Sequence, residues 1–171
     1  IYMIMDVKTK DMLGWKGKHL KTIESNYKKS THFDAVFADY VHLIETDYHS
    51  LSVMNTHIIG FIIRKLGIDT KIIKSSDLGI KSVKAEKILD ICNTLNATVY
   101  YSGTGAKMYQ NEADFKIRGL ELVYCTFQPF EYTQLWGGFQ ANVTILDFLM
   151  NCGYNWQQVV ENQKFNVNGS R

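Results

Sequence analysis

Two hydroxyls, two glycines and a lysine crowd into Ser102-Gly103-Thr104-Gly105-Ala106-Lys107, directly behind the β-branched and aromatic run at 98–101. Glycine lets backbone N–H groups come close to a ligand, or take positive φ. Successive N–H groups form a concavity suited to phosphate or carboxylate. Ser102 and Thr104 would add hydroxyls and Lys107 a positive charge. Ser102, Gly103, Thr104, Gly105, Lys107 and Tyr109 are therefore candidate binding residues for an anionic small-molecule substrate. The spacing is not that of a P-loop, and Met108 stands where the third glycine of a GxGxxG fingerprint belongs. The same residues also make an ordinary turn between a strand and a helix. Local chemistry leaves both readings open.

A second cluster, GWKGKHLKTIESNY at 14–27, sets Trp15, Lys16, Lys18, His19 and Lys21 around a helix start. Lysines oppose the dipole at that end of a helix unless an anion is present. Lys18 and Lys21 are candidate anion contacts. His19 is the candidate catalytic base, because neighbouring lysines disfavour its charged form. A solvated basic helix with Trp15 tucked against the core is the plainer alternative.

A third cluster, FQPFEYTQLWGGFQANVTILD at 127–147, is dense in aromatics and amides, which suit a sugar or nucleotide surface or a loop packed on the core. Asp147 falls among apolar helical residues, where an unpaired carboxylate is costly. It must pair with a base or cap a neighbour.

The histidines at 19, 32, 42, 49 and 57 form neither an HxH nor an HExxH pair, which argues against zinc. His57, in an apolar helical segment, reads as a satisfied core histidine. The pattern calls for no metal and no cofactor. Cys92, Cys125 and Cys152 are odd in number and not at CxxC spacing, so they read as reduced thiols of a cytoplasmic protein.

These groups need a scaffold. Apolar residues recur at helical spacing around Leu20–Tyr27, Phe33–Ile44 and Leu51–Leu66, the last capped by Ser50 and stopped by Gly67. The N-terminal half is expected to be helical, after an opening strand at IYMIMDVK. The second half alternates: a strand at DTKIIKSS, a helix capped by Ser82, a strand at ATVYYSG, a short helix ending at Gly119, and a strand at LELVYCTF. Asn142 is expected to cap a helix that Gly153 closes, with a last short helix from Asn155. Alternating strands and helices with short links predict an α/β fold, a small mostly parallel sheet with flanking helices. Residues 1–163 read as one α/β domain and 164–171 as a polar tail.

A net charge of +2 is too small to argue for nucleic acid. The lysines of the first 29 residues still make that end basic, and a basic face could meet an anionic ligand. The apolar helical run Ile58–Ile63 falls far short of the about 20 residues of a bilayer span, so no membrane span is expected. The chain opens at Ile1 without a signal sequence and reads as a fragment or a processed chain.

The pieces WKGKHLKTIESNY, LGIDTKIIKSSDL, ATVYYSGTGAKMY, RGLELVYCTF, QPFEYTQLW and ILDFLMNCG, in this order from Trp15 to Gly153, resemble the WbqC-like family of bacterial proteins. Members usually begin with a His-Gln-Pro motif and a Tyr-x-Pro-Trp-like stretch that have no counterpart here. Gln128-Pro129 stands where the family carries His-Pro. The resemblance implies a cytoplasmic enzyme of O-antigen or other surface-polysaccharide synthesis, transferring an acyl or amino-acyl group to a nucleotide-linked amino sugar. The missing opening segment suggests the alternatives: a non-catalytic module that binds the nucleotide sugar, or a subunit that completes a partner's site.

Overall fold

Helical spacing of apolar residues and two β-branched runs organise the chain as α1 (Trp15–Tyr27), α2 (Phe33–Glu45), α3 (Leu51–Lys65), α4 (Lys84–Thr94), β1 (Val99–Gly103), α5 (Glu112–Ile117), β2 (Glu121–Thr126), α6 (Ile145–Cys152) and β3 (Asn166–Asn168). The computed structural model describes residues 3–127, 129–157 and 166–168. It is an α/β protein in which helices dominate. It divides into two compact units, one of Ile1–Thr70 with Pro129–Asn162, the other of Lys71–Gln128 with Gln163–Arg171.

The first unit is helical. Ser50 caps α3, its hydroxyl accepting from the Val53 N–H at 3.3 Å, and Gly67 ends it at φ +65°. The core lies where α2 meets α6: Val36, Leu149 and Met150 are buried, with Ile23, Tyr27 and Ile62 packed against them. Each such Leu or Met contributes about 1.5–3 kcal/mol by burial. The turn after α6 is fixed by Gly153, whose N–H bonds the Leu149 carbonyl. Its backbone, at φ +72° and ψ −157°, is in a region only glycine occupies comfortably.

Two expectations change in this unit, and a third falls mostly outside the described residues. The opening strand is a short 3-10 turn, Ile4–Asp6, and Val7 offers its carbonyl to the Leu51 N–H at 2.9 Å instead of joining a ladder. The cap of α6 is Thr144, not Asn142: its hydroxyl accepts from the Leu146 N–H at 3.3 Å. Asn142 instead takes a left-handed turn conformation, φ +58°, which asparagine tolerates better than most residues. Past Asn155, residues 156–157 are helical, and the remainder of that expected helix lies outside the described residues.

The second unit holds the sheet, in the order β1-β2-β3. β1 and β2 are parallel, from Val99 opposite Glu121 to Gly103 opposite Cys125. β3 is antiparallel to β2, with Val167 opposite Cys125, so part of the expected polar tail forms a strand. The β1–β2 crossover runs through a 3-10 turn, Thr104–Tyr109, and then α5, which Asn111 caps through the Ala113 N–H. Leu89, Cys92, Phe115 and Leu120 make the core, with Tyr100 stacked on Phe115 at 5.6 Å.

The run DTKIIKSS is not a strand. Ile72 and Ile73 are exposed, and a 3-10 turn follows at Ser75–Leu78. Ser82 does not cap α4; Val83 holds that position, and the Ser82 hydroxyl donates to Asp90 Oδ2 at 2.6 Å. Among the described residues, no helix is long and apolar enough to cross a membrane.

Candidate functional site

The strand end after β1 is built by three residues. Ser102, 5% exposed, is the last inward residue of β1 and stands opposite Tyr124 in the register. Its hydroxyl makes only a long 3.4 Å bond to the Gly103 carbonyl. Tyr124 is 9% exposed, and among the described residues its hydroxyl has no hydrogen-bond partner. Burial pushes that phenol's pKa up, and nearby Glu112 and Tyr100 add to it. A buried donor left unmade costs about 1–3 kcal/mol. Lys107 sets its ammonium 5.4 Å from the centroid of the Tyr124 ring, within cation–π range. Gln110 Oε1, a buried acceptor at the end of the same turn, also lacks a partner among the described residues.

The glycines act otherwise than their freedom suggests. Gly103 is extended (φ −71°, ψ 147°), and neither it nor Gly105 takes positive φ. No heavy atom of the described residues lies within 4 Å of where a Cβ would stand at either position. They leave open space above the strand end. Thr104, Lys107 and Tyr109 are exposed around it.

The candidates on α1 lie in the first unit. Lys18 and Lys21 are exposed, while His19 is half-buried. His19 Nε2 shares a 2.6 Å hydrogen bond with the Tyr40 hydroxyl, and Trp15 lies 6.2 Å from its ring. Burial pushes the Tyr40 phenol's pKa up. Lys16 donates to the Thr46 carbonyl at 3.1 Å and faces Asp47 at 3.7 Å, so its charge is absorbed by the fold. Tyr40 also lines an apolar cavity of about 180 Å³, with Ile58, Phe61, Leu146, Leu149 and Tyr154 among its walls. The structure thus brings His19 to Tyr40 and Ser102 to Tyr124 and Lys107, and these two groups belong to different units. His57 is exposed, its Nδ1 bonded to the Tyr48 hydroxyl at 2.7 Å; it is satisfied, but not from within a core.

The third cluster holds a network that sequence reasoning only half saw. Asp147, 9% exposed, accepts from the Tyr132 hydroxyl at 2.8 Å and from Gln134 Nε2 at 2.9 Å, both on Oδ2. Tyr27 bonds the same carboxylate. Its partners are two phenols and an amide, not a base. Its place in the first turn of α6 adds the favourable end of the helix dipole. Burial and then the bond to Asp147 raise both phenols: Tyr27 to about 12 and Tyr132 to about 12. The cost of a carboxylate in an apolar helix was the signal for this network.

Gln134 extends it outward. Its amide donates to the Gln140 carbonyl at 3.1 Å and accepts from the Gln140 N–H at 2.7 Å, closing the intervening loop. At the crest, Trp136 has φ +72°, a left-handed conformation that costs a side-chain-bearing residue about 1–2 kcal/mol. Its indole N–H donates to the Asn26 carbonyl at 3.1 Å.

The family model of the WbqC-like protein family matches residues 2–159 of this chain. A curated relative, "Uncharacterized protein Rv1507c" of Mycobacterium tuberculosis (strain ATCC 25618 / H37Rv), is 34% identical over 146 residues, covering 84% of this chain and 63% of the relative. The chain thus spans less than two thirds of that protein's length. No solved structure matches the chain.

Proposed function

The chain belongs to the WbqC-like protein family, and from that premise we propose a cytoplasmic transferase of surface-polysaccharide synthesis that moves an acyl or amino-acyl group onto a nucleotide-linked amino sugar. The observation that carries the binding half of this reading is the buried, partnerless Tyr124 hydroxyl beside Lys107 at the end of a parallel strand. Ligands of open parallel sheets bind at the carboxyl ends of strands. An anionic oxygen placed there would receive the phenol's proton donation and the lysine's charge. Ser102, Gly103, Thr104, Gly105 and Tyr109 would frame it. In the other unit, Lys18 and Lys21 are proposed as anion contacts beside His19.

In the reaction, the sugar's amine attacks the acyl carbonyl. A C–N bond forms, the bond to the donor's leaving group breaks, and a base takes the amine's proton and returns it to the leaving group. His19 is the proposed base. Its half-burial and its bond to Tyr40 support a fixed imidazole.

The same bond favours a second reading. An imidazole already engaged by a phenol suits a non-catalytic nucleotide-sugar-binding module, or a subunit that completes a partner's site. Calorimetric titration with UDP-N-acetylglucosamine tests both. Saturable binding weakened tenfold or more by Lys107→Ala and by Tyr124→Phe is the expected result. Absence of binding, with Lys107→Ala silent, overturns the anion site in both versions. Binding without turnover in the presence of acyl donors selects the module.

A further inference from the structure

We infer that Trp136 is the stacking platform of a separate binding site for an uncharged pyranose ring. The inference is independent of the anion site, for it rests on different residues in the other unit. Trp136 is 74% exposed, the most exposed large apolar side chain of its segment, with Val143 and Ile145 further along at 41% and 47%.

The platform is held rigidly. The bond from the indole N–H to the Asn26 carbonyl fixes the ring and uses the indole's only polar donor, so what remains for a ligand is its aromatic face. The loop beneath is closed in both directions by the Gln134 amide on Gln140, and Gln134 is rooted on the buried Asp147. A tryptophan kept in a left-handed conformation at the crest of a clamped loop, with its side chain in water, gives nothing to the core that would explain it.

The surroundings define the ligand. Gly137 and Gly138 have no heavy atom of the described residues within 4 Å of where a Cβ would stand, so among those residues the floor beside the indole is open. Residues 133–144, TQLWGGFQANVT, contain no charged side chain and no histidine. Their polar groups are amides and hydroxyls from Thr133, Gln134, Gln140, Asn142 and Thr144. The segment itself supplies no cation; the exposed lysines Lys28 and Lys29 follow Asn26, to which the indole is bonded. A sugar presents a C–H face to an aromatic ring and hydroxyls to amides, and needs no charge.

The test is a titration of the ¹⁵N-labelled chain with N-acetylglucosamine, followed through the three indole N–H resonances, with uridine as the comparison. A saturable shift of the Trp136 indole, at least tenfold weaker in Gly138→Leu, is expected, and the heat of N-acetylglucosamine binding in calorimetry should be lost in Trp136→Gly. Lys107→Ala should leave it unchanged, so failure of the anion site and failure of this one are told apart. Glycine adopts φ +72° freely, so Trp136→Gly should hold its melting temperature to within about 5 °C. Three results overturn the inference: no saturable shift, uridine binding as tightly as the sugar, or a larger fall in the melting temperature of Trp136→Gly, which would assign the indole to the fold.

Discussion

Replacing Asp147 by alanine probes the most connected polar group in the first unit. The carboxylate is 9% exposed and is bonded by Tyr132, Gln134 and Tyr27. Hydrogen bonds to a charged group contribute about 1.5–3 kcal/mol each, and a buried donor without a partner costs about 1–3 kcal/mol. Tyr27, Tyr132 and Gln134 are only half-buried, so their freed groups recover part of this from water. The net loss for Asp147→Ala should then be about 2–5 kcal/mol, two or three such bonds less what water returns, with no charge left behind because the partners are neutral. That is a large share of the 5–15 kcal/mol typical of a domain. Asp147→Asn keeps the volume and one acceptor and should cost less, about 1–3 kcal/mol. Tyr132→Phe leaves two donors on the carboxylate and should cost least, about 1–2 kcal/mol. Urea denaturation with a constant m-value gives the order. Spectrophotometric titration of tyrosine in Asp147→Asn should show two phenols moving down toward 10. A loss below about 1 kcal/mol for Asp147→Ala, or an unchanged phenol titration, would refute the reasoning.

Gly153→Ala should destabilise by about 1–3 kcal/mol from its backbone region alone. Its Cβ would also stand 2.9 Å from His32 Nδ1, so Gly153→Ala in a His32→Ala background should recover part but not all of the loss, measured by denaturation. Alkaline pH should unfold the protein. Tyr27 and Tyr132, raised from 10 to about 12, keep their protons in the folded state while the unfolded chain loses them. Their contribution is therefore complete below pH 10 and is lost as pH rises toward 12; a urea midpoint flat across pH 10–12 would contradict it. Asp90 is held below the ordinary carboxylate range by the Ser82 hydroxyl first and Arg118 second. Its stabilisation is present above that range and lost as pH falls. Ser82→Ala should raise the Asp90 carboxyl in a ¹³C titration, and an unmoved titration would mean that the Ser82 bond is not formed in solution.

What was legible in the chain followed from local rules. Ser50 and Gly67 bound α3 because a cap hydroxyl and a left-handed glycine act on their own neighbours. ATVYYSG and LELVYCTF became β1 and β2 because each found the other as a parallel partner. IYMIMDVK and DTKIIKSS also carry β-branched residues, but among the described residues neither pairs with a strand, and β propensity has force only with a neighbouring strand. Asn142 and Thr144 are both good caps by type; the left-handed turn at Asn142 moved the helix start to Thr144. At the candidate sites, sequence found Lys107 and Ser102 but not Tyr124. That phenol enters through the register of β1 on β2, which sequence spacing does not encode. Nor does spacing reveal that His19 meets Tyr40 or that Asp147 gathers Tyr27, Tyr132 and Gln134, since these contacts join separate elements.

The core where α2 meets α6 also sets a schedule for synthesis. Val36 is buried against a cluster that includes Leu149 and Met150, and everything in the other unit from Lys71 to Gln128 is made in between. At 5–20 residues per second, the nascent α2 must wait on the order of ten seconds for its partner. The helix α5 and the strands β1 and β2 can meet on the ribosome during that interval, since they are near neighbours along the chain. The apolar faces of α2 and α3 cannot be covered so early. The emerging chain should therefore depend on holding chaperones at this stage.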